Sequence, residues 1–346
     1  MKVAVVGGGV FGCAIAADLA AAGATVDLYE ARPDILDGAT ARNMLRLHSG
    51  YHYPRSDTTA QAARDAAAVF ARRWSPAVRV DAAHHYVVAR ESKVAPVDYL
   101  AFLARMGLPY EVVDAPHVHT GDLTVKVPEA FVDVDVLRRV LRADLTRAGV
   151  AVHARWRVDG PEMHGHDLTV WATYGVPWVR PLRYEVCEVA LLELGRYGRE
   201  SYVVVDGEFV SLDPHGRLHS LYDVTHSVHH VSEGTTPRVP PEYRPLLDRG
   251  LVRAGLRGSG MSHYPAMVES ASRFLWGLEP GGQHTSIYHG SLWSLRAVLP
   301  DVDATDARPT LVERDGNVIR VLPGKVCTAA TVGRAVVGEV FGLVPA

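Results

Sequence analysis

A glycine-rich turn near the amino terminus carries the clearest chemical signal in the sequence. The apolar run Val3–Val6 leads into Gly7-Gly8-Gly9-Val10-Phe11-Gly12, which has the spacing G-x-G-x-x-G, and a helix is predicted over Ala14–Ala22. In this motif the first glycine permits a tight turn, the second lets the backbone approach a pyrophosphate, and the last lets the helix pack against the strand. The amides at the start of the helix can hold phosphate oxygens. The turn therefore predicts a dinucleotide site.

An acidic residue follows at the spacing that this kind of site requires. A second predicted strand, Thr25–Tyr29, ends at Glu30, 18 residues after Gly12. A carboxylate at this position accepts hydrogen bonds from a ribose diol, which favours NAD or FAD over NADP. Because strand, glycines, helix, strand and acid come in order, we prefer a nucleotide site to a glycine turn without a ligand.

Further elements of the same kind recur later in the chain. A helix is predicted over Val136–Arg147 and a strand over Val150–Val152, and a buried strand from Asp167 runs into Ala172-Thr173-Tyr174-Gly175. Near the carboxyl end, the strand Asn317–Leu322 enters Pro323-Gly324-Lys325 and then a helix over Thr328–Phe341. This second strand–glycine–helix elbow can also present amides to a ligand.

The composition is that of a globular protein with room for about two domains. Of the 346 residues, 48% are hydrophobic and 22% are charged. The net charge of −3 argues against nucleic acid as a partner, because phosphate binding needs an excess of cations. The three cysteines are widely spaced, and neither a signal peptide nor a run of ~20 apolar residues is evident. We therefore expect a cytoplasmic protein with no membrane span.

Taken in order, the motifs resemble a known family. The set is the glycine turn with Glu30, Pro128-Glu129-Ala130 ahead of a helix, Ala172-Thr173-Tyr174-Gly175, and Gly324-Lys325. It is similar to the FAD-dependent oxidoreductases of the D-amino-acid oxidase superfamily. These include glycine oxidase, sarcosine oxidase, L-2-hydroxyglutarate dehydrogenase and the flavin-linked glycerol-3-phosphate dehydrogenase. The resemblance spans nearly the whole chain and implies FAD as the cofactor.

The predicted fold class is α/β, with a Rossmann-like FAD-binding domain and a second, mainly antiparallel β substrate domain. The segments that predict the antiparallel sheet alternate or are β-branched; they are His84–Ala89, Glu185–Leu194, Ser201–Asp206, Phe209–Leu212 and Leu218–Val224. The FAD-binding domain is assigned to residues 1–75, 140–185 and 295–346, and the substrate domain to 76–139 and 186–294. This division places the substrate pocket in the cleft between the domains.

The resemblance also implies which residues contact FAD. They are Gly7, Gly9, Val10, Phe11, Gly12, Glu30, Ala31, Arg32, Arg42, Asn43, Leu45, His48, Ala172, Thr173, Gly175, Gly324, Lys325, Val326, Cys327 and Thr328. The loop Arg42–Arg55 runs beside the flavin ring in this superfamily, and some members attach FAD covalently through a histidine near His48. For His48 the sequence leaves open flavin contact, covalent attachment and plain structural hydrogen bonding.

The candidate catalytic residues are His48, His52, Tyr222, Arg296 and Lys325. The stretch His48–Tyr53 is similar to the His-x-Gly-x-x-Tyr of the hydroxyglutarate enzymes, and Gly324-Lys325 resembles the Gly-Lys of the glycerol-phosphate enzymes. Lys325 is the candidate for positioning a water or an anion at the flavin. Trp293-Ser294-Leu295-Arg296 resembles the segment of glycine oxidase whose arginine holds the substrate carboxylate, although Ala297 departs from the family's proline.

The surroundings of these candidates leave alternatives open. If the strand from Leu218 persists, Tyr222 and His226 share a face, but two half-exposed aromatics on a sheet edge explain the pattern equally well. Tyr288 and His289 are grouped with Arg296 and Lys325, and Arg296 is equally well explained as an ion-pair partner. His229 is expected on the surface.

We expect no metal site. His48 and His52 have helical i, i+4 spacing, but Gly50 and Pro54 indicate an irregular loop.

The predicted function is oxidation of a small amino acid, amine or 2-hydroxy acid by hydride transfer to flavin N5, with oxygen or an electron carrier as acceptor. Two alternatives remain at this point. One is a redox-neutral flavoenzyme acting on a sugar, and the other is a non-catalytic flavin-binding partner subunit.

Overall fold

The computed structural model describes residues 1–173, 178–255, 258–278, 286–300 and 308–342. The strands are β1 Lys2–Val6, β2 Thr25–Glu30, β3 Arg46–Leu47, β4 Val78–Arg79, β5 Ala83–Val88, β6 Glu111–Val112, β7 Leu123–Val127, β8 Ala130–Val132, β9 Ala151–Ala154, β10 Leu168–Trp171, β11 Leu182–Glu193, β12 Glu200–Val205, β13 Val210–His215, β14 Leu218–Asp223, β15 Val228–Gly234, β16 Leu251–Arg253, β17 Ile287–Val298, β18 Leu311–Asp315 and β19 Val318–Leu322. The α-helices are α1 Val10–Ala21, α2 Asp57–Arg73, α3 Pro96–Arg105, α4 Val134–Arg147, α5 Arg244–Arg249, α6 Tyr264–Ser272 and α7 Ala329–Phe341. Within this described part of the chain, no helix is long and apolar enough to cross a membrane.

The first sheet is the parallel sheet that the glycine turn predicted. Its strand order is β18-β19-β10-β1-β2-β9, with β18 antiparallel to β19 and the other pairs parallel. The apolar strand β1 lies in its middle, with Val3 and Val5 packed against the helices on one face. On the other face Val6 packs with Trp171 against Val158 and Met163. Helices α1, α2, α4 and α7 contribute to the same core. The Rossmann-like prediction is confirmed.

Local sequence explains where these helices begin and which face they bury. Ser56 caps α2 by accepting a hydrogen bond from the Thr59 amide, and Asp133 caps α4 by accepting one from the Val136 amide. Along α4, Leu137, Leu141 and Leu145 recur every fourth residue and are buried in the core. Val134, Val136 and Val140 pack partly buried against the same core.

The second sheet is mainly antiparallel, in the order β16-β17-β11-β14-β13-β12-β5-β7-β6, with β15 paired to β11. The pairing of β12 with β5 is parallel. Strands β11 and β17 pair along nearly their whole length, so that Glu185 lies opposite Arg296 and Cys187 opposite Ser294. The predicted domain boundaries fall inside these two strands. The division of the chain into domains remains a prediction.

One predicted strand is shorter than the sequence suggested. Strand β14 ends at Asp223, and the carboxylate of Asp223 then accepts hydrogen bonds from the amide and from Nδ1 of His226. This local turn removes His226 from the sheet. The prediction that Tyr222 and His226 share one strand face is therefore wrong.

Candidate active site

The glycine turn between β1 and α1 has the shape that a pyrophosphate needs. Gly7 has φ +107°, and a side chain there would overlap Thr173 and the carbonyl of Ala172. A Cβ on Gly12 would overlap the carbonyl oxygen of Gly7. The first and last glycines of the motif thus let α1 approach the ends of β1 and β10. The helix N-terminus is left facing the turn, where its amides can hold phosphate oxygens.

Glu30 closes the second side of the turn. One carboxylate oxygen accepts a hydrogen bond from the Gly8 amide and the other accepts one from the Arg32 amide, both at 2.7 Å. Each carboxylate oxygen has a second lone pair. The fixed carboxylate can therefore also accept hydrogen bonds from ribose hydroxyls, and the cradle fits an FAD ribose.

The second elbow follows β19 as predicted. The Gly324 amide donates to Oγ1 of Thr310 at 3.1 Å, and Oγ1 of Thr310 lies 2.6 Å from Oγ1 of Thr328. Val326–Thr328 forms a single 3₁₀ turn before α7, and Cys327 is buried beneath it. The elbow brings Lys325 to the loop that contains His48 and His52.

The loop before β3 is organised by Asn43 and Thr40. The Asn43 side chain donates to the carbonyls of Ala39 and Thr40 and accepts from the amide of Leu45. Oγ1 of Thr40 accepts from the Val10 amide at 3.2 Å, which ties this loop to the glycine turn. Sequence reasoning missed Thr40. A hydroxyl residue three positions before the loop asparagine was the only available signal.

Two arginines predicted to contact FAD donate hydrogen bonds to backbone carbonyls at the end of α5. Arg42 is buried, and its Nη1 donates to the carbonyl of Leu247 at 2.7 Å. Arg32 donates to the carbonyls of Leu247 and Asp248. Burial, followed by the charge of Arg32, lowers the pKa of Arg42 to about 10. These contacts tie the end of α5 to Arg32 and Arg42. The contact of both arginines with FAD remains a prediction.

His48 and His52 lie together in the buried part of the loop. Their ring centroids are 5.3 Å apart, and each ring also packs near Tyr53. Lys325 places its ammonium 4.5 Å from the centroid of the Tyr53 ring. Burial, and then the positive charge of Lys325, holds the pKa of both histidines well below the usual value. Both rings are neutral at pH 7, and their Nδ1 atoms have no hydrogen-bond partner among the described residues.

A buried ionic network lies beside these histidines. Arg46 pairs with Asp213 of β13, and its Nε lies 3.8 Å from the carboxylate of Glu129. Glu129 accepts hydrogen bonds from the Ser49 amide at 2.8 Å and from the Tyr86 hydroxyl at 2.6 Å. The network ties the histidine loop to the substrate sheet. Asp213 was missed at the sequence level, because nothing local distinguishes it from a surface aspartate.

The substrate sheet turns one face toward this loop. Tyr222 on β14 packs with Val189, Leu191, Leu292 and Met44, the last of which follows Asn43 in the loop. Arg296 lies on the same face, and its Nε donates to Glu185 at 2.7 Å. Burial raises the pKa of Tyr222 to about 12, so its hydroxyl is protonated. The structure thus brings Tyr222 and Arg296 to one face.

The structure separates the residues of the last predicted group, which were Tyr288, His289, Arg296 and Lys325. Tyr288 bonds Ser291 and His289 bonds Glu193. The two residues lie eight and seven positions along β17 from Arg296, about 23–26 Å in an extended strand. The grouping of Tyr288 and His289 with Arg296 and Lys325 is therefore wrong.

His229, expected on the surface, is buried against Glu188. Gly175 lies outside the described residues.

The parallel sheet with its glycine turn, together with a buried polar loop under an antiparallel sheet, defines a flavin-dependent oxidoreductase. A family model described as FAD dependent oxidoreductase, DAO, matches residues 2–177, and the chain belongs to this family. The protein is accordingly an FAD-dependent enzyme, which excludes the non-catalytic alternative.

Two fungal proteins resemble it along most of its length. The "FAD-dependent monooxygenase kojA" of Aspergillus flavus is 27% identical, over 97% of this chain and 85% of that protein. The "FAD-dependent monooxygenase FPY4" of Fusarium mangiferae is 26% identical, over 94% of this chain and 87% of that protein.

Solved structures share the fold at low sequence identity. Glycine oxidase from Geobacillus kaustophilus has a TM-score of 0.68 at 16% identity, covering 100% of this chain and 96% of that one. L-amino acid deaminase from Proteus vulgaris has a TM-score of 0.64 at 12% identity, covering 99% and 94%. Glycerol-3-phosphate dehydrogenase from Bacillus halodurans, complexed with FAD, has a TM-score of 0.59 at 12% identity, covering 100% and 66%. The α/β fold class is confirmed.

Proposed function

We propose that the enzyme oxidises a small substrate at a carbon that carries a hydroxyl or amino group, with oxygen or an electron carrier as final acceptor. The amino acids, amines and 2-hydroxy acids predicted from the sequence fall in this class. FAD, when bound, accepts the hydride that leaves this carbon. The protein must then orient the substrate, exclude water and receive a proton.

The observation that carries the proposal is a pair of neutral histidines whose Nδ1 atoms are buried. A neutral imidazole has one donor and one acceptor nitrogen. His48 and His52 therefore can hold a hydroxyl or amino group and accept its proton, and their Nδ1 atoms have no partner among the described residues. The cation of Lys325 beside them suits the negative charge that a flavin gains on reduction. Tyr222 supplies a further protonated hydroxyl from the substrate sheet.

Anaerobic reduction of the bound flavin tests this function. The holoenzyme is mixed without oxygen with amino acids, secondary amines, 2-hydroxy acids and neutral alcohols, and loss of the oxidised flavin absorbance is followed. We expect reduction by at least one member. His52→Leu should slow that reduction about 10²–10⁴-fold, the usual contribution of a positioned acid–base group. His289→Leu, at an exposed histidine that pairs with Glu193, is the control.

Two other results would redirect the proposal. Turnover of a sugar only after chemical reduction of the flavin would favour the redox-neutral alternative. Retention of flavin in the pellet after acid precipitation would favour covalent attachment through His48, whereas intact flavin in the supernatant excludes it.

Oxygen insertion is the second candidate, since two relatives carry the name FAD-dependent monooxygenase. Oxygen-18 from labelled dioxygen would appear in the product of an insertion. It would not appear in the product of hydride removal.

A further inference from the structure

Four buried or partly buried arginines already hold carboxylates of the protein. Their partners are Asp213 for Arg46, Asp206 for Arg55, Glu185 for Arg296 and Asp315 for Arg320. A charged substrate group binding to any of these arginines has to compete with its partner. An arginine that serves to bind an acidic substrate would not already be paired with a carboxylate of the protein.

The pairing of an arginine with a protein carboxylate is clearest at Arg296. Glu185 lies opposite it in the β11–β17 ladder and accepts hydrogen bonds from both its Nε and its Nη2. The other Glu185 oxygen lies 2.9 Å from Nε of Arg183. The Glu185 side chain is 3% exposed, whereas that of Arg296 is 38% exposed. A carboxylate at Arg296 would meet the negative charge of Glu185, and displacing Glu185 would cost this buried carboxylate one of its two arginine partners.

A hydroxyl group fits this pair better than a carboxylate does. It can donate to a Glu185 oxygen and accept from the Arg296 guanidinium at the same time, and a carboxylate can only accept. The protonated Tyr222 hydroxyl on the same face offers another donor and acceptor. At the loop end of the site, neutral His48 and His52 offer the same combination.

A cationic amine fits less well at the loop end. The ammonium of Lys325 already lowers the pKa of both histidines there, second only to burial. A substrate cation bound beside these histidines would be repelled by the same charge. The donors and acceptors across the site are thus matched to an uncharged substrate.

We infer that the substrate is a neutral molecule bearing several hydroxyl groups, and that Glu185 is the specificity-determining residue that excludes carboxylates by occupying Arg296. This inference rests on the proposed function, since it names the substrate class of the same site.

Matched pairs of a neutral alcohol and its acid test the inference. Glycerol is compared with D-glycerate and D-glucose with D-gluconate, by anaerobic titration of the holoenzyme. The readouts are the shift of the flavin absorption bands on binding and the rate of flavin reduction. In the wild-type enzyme the neutral member should bind at least tenfold more tightly than its acid. Glu185→Gln should move this ratio at least tenfold toward the acid.

Glu193→Gln is the matched control, because Glu193 lies on the same strand, is exposed and pairs with His289. It should leave the ratio unchanged. Equal or tighter wild-type binding of the acids overturns the inference, as does a Glu185→Gln ratio equal to wild type. Failure of both neutral compounds to shift the spectrum also overturns it. Should Glu185→Gln not fold, the wild-type ratio alone decides.

The two proposals fail in different ways. Reduction of the flavin by acids alone supports hydride transfer and overturns neutral specificity. Tight binding of a neutral alcohol with no reduction by any compound supports the specificity of Glu185 and overturns the proposed reaction.

Discussion

Glu185 and Glu188 lie three residues apart on β11 and point to opposite faces of the substrate sheet. Glu188 is completely buried and accepts hydrogen bonds from Nε2 of His229, from the His263 amide and from the hydroxyls of Ser262 and Ser291. Every donor around it has a partner. On the other face, Glu185 is held by arginines, and the nearby Nδ1 atoms of His48 and His52 have no partner among the described residues.

This difference separates a structural network from a site. The serine, histidine and glutamate around Glu188 have the residue types of a hydrolase, but Ser262 donates to Glu188 and not to His229, so no nucleophile is activated. Burial alone would raise the pKa of Glu188, yet the hydrogen bonds from His229, Ser262 and Ser291 lower it. A saturated network stabilises the fold, whereas unmet hydrogen-bonding capacity in a buried loop indicates a place for a ligand.

The largest effect is expected for Glu188→Ala. Four donors around the cavity would lose their acceptor, and we expect the free energy of unfolding to fall by about 3–5 kcal/mol, the cost of breaking a buried charged network. Urea unfolding measures this loss. The rate of reduction per bound flavin should stay at the wild-type value. A loss below ~1 kcal/mol, or a slower reduction, would contradict a purely structural role.

An effect of intermediate size is expected from pH. The free energy of unfolding should change with pH in different ranges for His84, near Arg46, and for Glu188 on the other face of the substrate sheet. Burial, together with Arg46, lowers the pKa of His84 beside the loop from 6.5 to about 2. Below pH 6.5 the unfolded chain therefore binds a proton that the folded chain does not, and stability should fall by about 1.4 kcal/mol per pH unit for such a histidine. Urea unfolding of wild type and His84→Leu at pH 7, 6 and 5 measures the slope, which the variant should reduce by that amount.

The contribution of Glu188, on the other face of the sheet, should depend on pH at lower values than that of His84. The folded-state pKa of Glu188 lies below its usual 4.5, so its contribution is present above pH 4.5 and is lost as the pH falls through the folded-state value. Equal slopes for His84→Leu and wild type between pH 7 and 5 would show that His84 is not held neutral in the folded protein.

The smallest effect is expected for Glu193→Gln. This third glutamate of β11 is about half exposed and contacts only His289 among the hydrogen bonds described. Exposed substitutions of this kind change the free energy of unfolding by about 0.5 kcal/mol or less. The same urea titration measures it. A cost comparable to that of Glu188→Ala would mean that strand position, and not burial, sets the contribution of these carboxylates.

Predictions that depended on local pattern agreed well with the structure. The predicted helix Val136–Arg147 is α4, Val134–Arg147, and the predicted strand Asn317–Leu322 is β19, Val318–Leu322. Each carries its own periodicity and its own turn or cap residues. The prediction failed at His226, where one aspartate side chain captured the backbone and ended the strand.

Side-chain contacts between residues far apart in the chain could not be predicted from the sequence. The guanidinium of Arg42 donates to the carbonyl of Leu247, 205 residues away, a contact that the sequence did not indicate. Arg46 is neutralised by Asp213, 167 residues away, and Arg296 by Glu185, 111 residues away. Such a pairing leaves no periodic signal in the sequence, because each partner is a single charged residue in an otherwise ordinary strand.

The sequence by itself determined the nucleotide half of this protein. The steric need for glycine in the turn and the position of Glu30 at the end of β2 act over a short stretch of chain, and that stretch encodes them. Only the tertiary structure decided the charges of the residues in the candidate substrate site. Whether Arg296 is open or neutralised, and whether His48 and His52 are neutral, depends on burial and on charges that the folding of distant strands brings within a few ångströms.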